Sequence, residues 1–71
     1  MNGEYKYLVR VFMINPGVSF DFPIHTKDHA IETAGRMIRE GIRVVRSQDE
    51  EEFYPATQIS KIRLMKYESL S

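Results

Sequence analysis

Cysteine is absent from this chain of 71 residues, so its stability must come from non-covalent contacts. The absence excludes disulfides, thiolate zinc frameworks and cysteine nucleophiles. A domain of this length buries about 60% of its unfolded surface, and its core rarely supplies more than ~3–5 kcal/mol. Because small domains without disulfides often gain further burial from a partner subunit, we expect a homodimer or small homo-oligomer.

The chain also lacks an excess of charge and a long apolar run. Ten basic and ten acidic residues cancel, which disfavours a globally basic nucleic-acid binder but not a local basic patch. No stretch approaches the ~20 apolar residues of a membrane span, and the polar segment 1–6 lacks the apolar core of an export signal. The expectation is a cytoplasmic protein with no membrane partner.

Catalytic signatures are missing as well. There is no glycine-rich phosphate loop and no serine in an elbow-like setting, and paired carboxylates occur only in Asp49–Glu52, predicted to be a solvated hairpin tip. His25 and His29, with Asp28, are the one metal-like group, but His25 precedes the predicted helix and no third ligand is evident. We therefore expect a protein that is not an enzyme, with no metal and no cofactor.

Two strands are predicted before the helix. Residues 5–14 are rich in aromatic and β-branched side chains, and 18–25 alternate strictly between apolar and polar. Asn15, Pro16 and Gly17 between them favour a turn and hence a hairpin. Pro23 lacks an N–H group, which predicts an edge strand.

One amphipathic helix is predicted from Lys27 to Glu40. Thr26 is a favourable N-cap, and Gly41 stands where a left-handed C-cap belongs. The apolar stripe expected to face the sheet consists of Ala30, Ile31, Ala34, Met37 and Ile38.

Three further strands are predicted at residues 42–47, 52–54 and 59–67, the second of them short. In the last strand, Ile62 and Leu64 are expected to face the helix. The predicted fold is therefore α+β: an antiparallel sheet of four or five strands with one helix on one face, in the order β-β-α-β-(β)-β. Residues 1–71 form a single domain, in which Met1–Glu4 and Glu68–Ser71 are expected to fray.

The sheet face away from the helix is the predicted binding surface. If the third and last strands are neighbours, their basic side chains share this face, and Arg10 and Phe12 join them if the Lys6 side of the first strand also points outward. The candidate residues are Arg10, Phe12, Arg43, Lys61, Arg63 and Met65. An apolar patch that pairs with another copy or another protein is also predicted there, from Leu8, Phe12, Ile14, Met65 and Tyr67. The alternative is that the chain ends cover these residues.

These features favour a non-enzymatic accessory or regulatory module that binds another macromolecule, typically a protein. Two alternatives stay open. The first is nucleic-acid binding through the basic sheet face, and the second is an anionic ligand such as a nucleotide held by arginines between subunits. Small cysteine-free chains of this kind are typical of phage and mobile-element proteins, which is the origin we expect.

Overall fold

The computed structural model describes residues 5–67, so the ends predicted to fray lie outside the described residues. Within that range the chain forms one α-helix and five strands, arranged in two antiparallel sheets. The α+β class and the order of the elements agree with the sequence prediction. The single sheet of four or five strands does not, because the strands divide into a group of three and a group of two.

The larger sheet contains β1 (Tyr7–Met13), β2 (Ser19–Ile24) and β5 (Ile59–Lys66). β1 is central and pairs antiparallel with both neighbours, which suits a strand that is apolar on its two faces. β2 lies at the edge, where Pro23 needs no hydrogen-bond acceptor. The β1–β2 turn contains Gly17 at φ +83°, a conformation that glycine adopts without strain.

The helix, α1 (Lys27–Glu40), has the predicted bounds, and a capping residue ends it on each side. The hydroxyl of Thr26 accepts a hydrogen bond from the backbone N–H of His29 at 3.2 Å. At the other end, the N–H of Gly41 donates to the carbonyl of Met37 at 2.8 Å. Gly41 has φ +94° and ψ −171°, an extended conformation restricted to glycine and not the left-handed helical one that was predicted.

The smaller sheet is a hairpin of β3 (Ile42–Ser47) and β4 (Glu50–Tyr54). β4 begins two residues earlier than predicted, so the turn shortens to Gln48 and Asp49. β3 pairs with β4 and not with β5, which is why the expected single sheet does not form. A short 3₁₀ turn, Ala56–Gln58, then leads into β5.

The helix and the hairpin both pack on one face of the three-stranded sheet, hereafter the inner face. Val9 and Val11 of β1 are fully buried there, and α1 packs mainly on β1 and β5. The hairpin contributes Ile42, Val44 and Tyr54 to the same core. The inner face is therefore covered by two elements side by side.

The buried side of α1 is rotated from the predicted stripe. Ala30, Thr33, Ala34 and Met37 turn inward, whereas Ile31 and Ile38 are 54% and 55% exposed. At 100° per residue, the centre of the buried arc lies about 50° away from that of the predicted one, toward Thr33. The prediction that Ile31 and Ile38 face the sheet was wrong. The hairpin occupies part of the inner face, and α1 packs on the rest of it, mainly against β1 and β5.

Candidate functional site

The outer face of the three-stranded sheet brings five of the six predicted residues together. In the register, Arg10 lies opposite Arg63, Phe12 opposite Lys61, and Leu8 opposite Met65. Because side chains alternate along a strand, these residues all point away from Val9 and Val11 and hence from the helix. Within residues 5–67, none of the six side chains in these three cross-strand pairs belongs to the buried core cluster.

The first cross-strand row is apolar. Leu8 is flanked by Pro23 on β2 and Met65 on β5, and it is only 5% exposed. Met65 is half-buried, and Ile14, just beyond the end of β1, is 58% exposed. The apolar patch predicted for self-association is therefore small, because its central leucine is already shielded within the chain.

The second row carries three charges. Arg10 donates two hydrogen bonds to Asp21, from Nε to Oδ1 at 2.8 Å and from Nη2 to Oδ2 at 3.0 Å. The hydrogen bonds from Arg10 lower the pKa of Asp21 below its ordinary value, and the carboxylate raises the pKa of Arg10. Arg63 lies on the other side of Arg10 with no ion-pair partner among residues 5–67. This row therefore ends in an uncompensated cation beside a like charge.

The third row places a cation on an aromatic ring. Phe12 lies between Ser19 and Lys61, and the ammonium nitrogen of Lys61 is 5.1 Å from the centroid of the ring. This contact covers part of the ring that would otherwise be free to stack on a ligand. The outer face thus combines a half-buried aromatic ring with basic side chains, of which Lys61 and Arg63 are exposed.

Arg43 does not belong to this face. It lies on β3, whose partner is β4, and its Nε is 3.4 Å from Oε1 of Glu51. The prediction required β3 and β5 to be neighbours, and they are not. The four arginines between residues 36 and 46 are therefore divided between the helix and the hairpin, and they do not extend the outer face.

The acidic residues of β4 neutralise arginines of β3, a role that the sequence prediction missed. Arg46 donates from Nε to Oε1 of Glu52 at 2.8 Å, and the hydroxyl of Tyr54 donates to the same oxygen at 2.9 Å. These two hydrogen bonds lower the pKa of Glu52. Arg46 also lies 5.7 Å from the ring centroid of Phe20, whose ring is 5.3 Å from that of Tyr54. This network joins the hairpin to β2. Opposite charges flanking a polar turn were the signal that could have revealed it.

The hairpin also exposes a residue that was not predicted to matter. Phe53 is 73% exposed on the side of the hairpin that points away from the core, with Val45 at 59% on the same side. Alternation along β4 places Phe53 outward once Tyr54 is inward. The outward position of Phe53 can be assigned only when the strand pairing is known.

The two histidines have separate structural contacts. The ring of His25 stacks on Tyr5, with centroids 4.4 Å apart, and His29 contributes its backbone N–H to the helix cap. Over residues 5–67, no group of three or more potential metal ligands is close enough to share an ion. The described part of the chain also contains no helix with the length and apolar character needed to cross a membrane.

A cleft of about 370 Å³ lies between α1 and β3, with Arg36 and Arg43 on its rim and Phe22, Met37 and Ile42 as apolar lining. Two guanidinium groups in one cleft are compatible with an anionic ligand. However, Arg43 already has Glu51 as a partner, and the nearby end of α1 carries the negative pole of the helix dipole. The outer sheet face is the better candidate site.

Comparison with known proteins returned no match: no protein-family model, no curated protein and no solved structure is significantly similar to this chain.

Proposed function

We propose that this chain is a small non-enzymatic accessory module that binds another protein through the outer face of its three-stranded sheet. The observation that carries this proposal is the alignment of Arg10, Phe12, Lys61, Arg63 and Met65 on neighbouring strands, on the face that neither the helix nor the hairpin covers. Arginine, methionine and aromatic side chains are enriched where proteins meet.

The charges on the face indicate the chemistry of the partner. Arg63 has no carboxylate partner among residues 5–67. It lies next to Arg10, which is already neutralised by Asp21. A partner carboxylate placed over Arg63 would relieve the repulsion between the two guanidinium groups. Phe12 and Met65 lie in the rows on either side and offer apolar contact. The partner that fits is a protein segment with an acidic residue flanked by apolar ones.

A random peptide display library tests this proposal, since such a library requires no identified partner. Peptides selected on the wild-type chain should be enriched in Asp or Glu next to aromatic or aliphatic residues. Their affinity should fall at least about tenfold for Arg63→Glu, since truncating one partner of a buried charge pair costs ~2–5 kcal/mol. Arg39→Glu, on the exposed end of α1, makes the same charge change away from the face and should bind normally. Failure to enrich peptides, or equal binding by Arg63→Glu, would reject the proposal.

Nucleic acid is the second candidate, favoured by Lys61, Arg63 and Arg10 around the ring of Phe12. A basic sheet face with an aromatic residue resembles single-strand binding surfaces in general. The contacts Lys61–Phe12 and Arg10–Asp21 weigh against it, because they occupy groups that bases and phosphates would need. Fluorescence anisotropy with labelled single-stranded and duplex oligonucleotides distinguishes the two. A low-salt complex that weakens steeply with added salt and is lost in Lys61→Glu would favour nucleic acid.

A further inference from the structure

The outer face of the β3–β4 hairpin is an exposed apolar surface that the function proposed above does not use. Phe53 lies opposite Arg43 in the strand register, and Val45 lies opposite Glu51. The four side chains form the corners of a square, with the apolar pair on one diagonal and the charged pair on the other. At 73% exposure, Phe53 is the most exposed large apolar residue in the described part of the chain.

The charged pair makes this square complementary to itself. Arg43 and Glu51 are joined at 3.4 Å, so the face carries one charge of each sign. Consider a second copy related by a two-fold axis lying along the Phe53–Val45 diagonal. Each Arg43 then lies over Glu51 of the other copy, and each Phe53 meets its equivalent. An isologous dimer requires this kind of self-complementarity.

The surroundings of Phe53 favour contact through the face and not through the strand edge. β4 has no second strand partner within residues 5–67, and its three consecutive glutamates, Glu50–Glu52, lie along it. Two such acidic strands would repel each other if they paired edge to edge. A shallow depression of about 380 Å³, lined by Gly41, Arg43, Phe53 and Pro55 among others, adjoins the ring. It leaves room for an offset-stacked aromatic ring from the other copy.

We propose that the chain forms a two-fold dimer through this hairpin face, with Phe53 and Val45 on the two-fold axis. A stable interface buries about 800 Å² per partner, which is about 15% of the 5273 Å² surface of this chain. The four side chains supply only part of that area, so we expect a weak dimer. The hairpin lies between this face and the three-stranded sheet, so both outer sheet faces of the dimer stay accessible. The proposal is independent of what the sheet face binds.

Sedimentation equilibrium from low micromolar to several hundred micromolar concentration tests the interface. The wild-type chain should dimerise, and Phe53→Asp should remain monomeric while keeping its circular dichroism spectrum, since the side chain is largely exposed. Ile38→Asp is the matched control, because it places the same charge at an exposed apolar position on α1 and should dimerise like wild type. If Phe53→Asp does not fold, Val45→Lys replaces it with the same expectation. A wild-type chain that stays monomeric overturns the proposal, as does a folded Phe53→Asp or Val45→Lys variant that still dimerises.

A charge exchange tests the two-fold arrangement. Arg43→Glu and Glu51→Arg should each dimerise at least about tenfold more weakly than wild type, because like charges then face each other across the axis. An equimolar mixture of the two variants should form heterodimers, since every acidic side chain at these positions meets a basic one. If the mixture associates no better than its separate components, the arrangement is wrong.

Discussion

Gly41 is the residue on which the junction between helix and hairpin depends. Its φ of +94° strains any other L-residue, and a Cβ there would collide with the carbonyl oxygen of Tyr54 and crowd the backbone of Pro55 and Ala56. Glycine is therefore required at this position for two reasons: it adopts the positive φ without strain, and it has no side chain to collide with the neighbouring backbone. The sequence pattern shows the helix end but not the close approach of the strand behind it.

Gly41→Ala should be destabilised far more than Gly17→Ala. Both positions have positive φ, but an added Cβ at Gly17 meets nothing within 4 Å. We expect a cost of about 1–2 kcal/mol for Gly17→Ala from backbone strain alone, and at least ~2 kcal/mol more for Gly41→Ala. Urea denaturation measures both, and equal midpoints for the two variants would contradict the assigned contact.

Thr33 is a polar residue in an apolar environment. It is 5% exposed, and its hydroxyl has no hydrogen-bond partner among the described residues. Thr33→Val keeps the shape and removes the unpaired hydroxyl, so it should raise the free energy of unfolding by about 1 kcal/mol. Thr33→Ser keeps the hydroxyl and loses the methyl group, and it should be destabilised instead. A valine variant less stable than wild type in thermal unfolding would show that the hydroxyl is satisfied.

The Arg10–Asp21 pair makes stability depend on acid pH. Because Arg10 lowers the pKa of Asp21 in the folded state, the pair stabilises the fold fully above the ordinary aspartate pKa of about 3.9. That contribution disappears as the pH falls through the lower folded-state value. Solvent screens the pair, whose side chains are 34% and 45% exposed, so the effect is modest.

Asp21→Asn should therefore lose less stability than wild type when the pH is lowered below about 4, and Arg10→Gln should behave in the same way. Urea midpoints measured across that range give the comparison. An Asp21→Asn variant with the same acid slope as wild type would mean that the pair contributes nothing to folding.

At the scale of elements, the hairpin is held to the sheet by side chains and not by backbone pairing. Tyr54 packs its ring against Phe20 and donates its hydroxyl to Glu52, which in turn accepts from Arg46. No strand of the larger sheet pairs with β3 or β4 within residues 5–67. The attachment therefore depends on the buried Ile42 and the partly buried Val44 together with a few aromatic and charged groups.

Tyr54→Phe and Tyr54→Ala separate the two contributions of this residue. Removing only the hydroxyl should cost about 0.5–1.5 kcal/mol, the value of one hydrogen bond. Removing the half-buried ring should cost about 2–4 kcal/mol, somewhat less than for a fully buried aromatic residue. Amide hydrogen exchange should show the loss of protection in Tyr54→Ala concentrated in β3 and β4. Uniform loss across β1 and β5 would mean that the hairpin is not a separate unit.

At the scale of the whole molecule, the proposed dimer through Phe53 predicts that stability depends on protein concentration. A domain of this length gains little from its own core, and association adds stability by mass action. The urea midpoint of the wild-type chain should therefore rise with protein concentration. The free energy that resists unfolding increases by about 1.4 kcal/mol per mole of dimer for each tenfold increase above the dissociation constant. Phe53→Asp should show no such dependence. A wild-type midpoint that is constant at high concentration would contradict the dimer.

Features that depend on near neighbours along the chain follow from the amino-acid order without the rest of the fold. Thr26 and Gly41 set the bounds of α1, and strand alternation placed Arg10 with Phe12 on one side of β1, and Lys61, Arg63 and Met65 together on one side of β5. Capping and strand alternation act over a few residues, so distant segments do not alter them.

Contacts between distant segments decided which strands are neighbours and what covers each face. The two-residue turn lets β3 and β4 pair with each other, and the apolar side of that hairpin is buried against Phe20. Arg43 is thereby removed from the candidate site, Phe53 is exposed, and the buried side of α1 turns from Ile31 and Ile38 toward Thr33. These outcomes depend on which apolar surfaces pack against each other, and those surfaces belong to segments far apart in sequence. A local sequence pattern does not determine that choice.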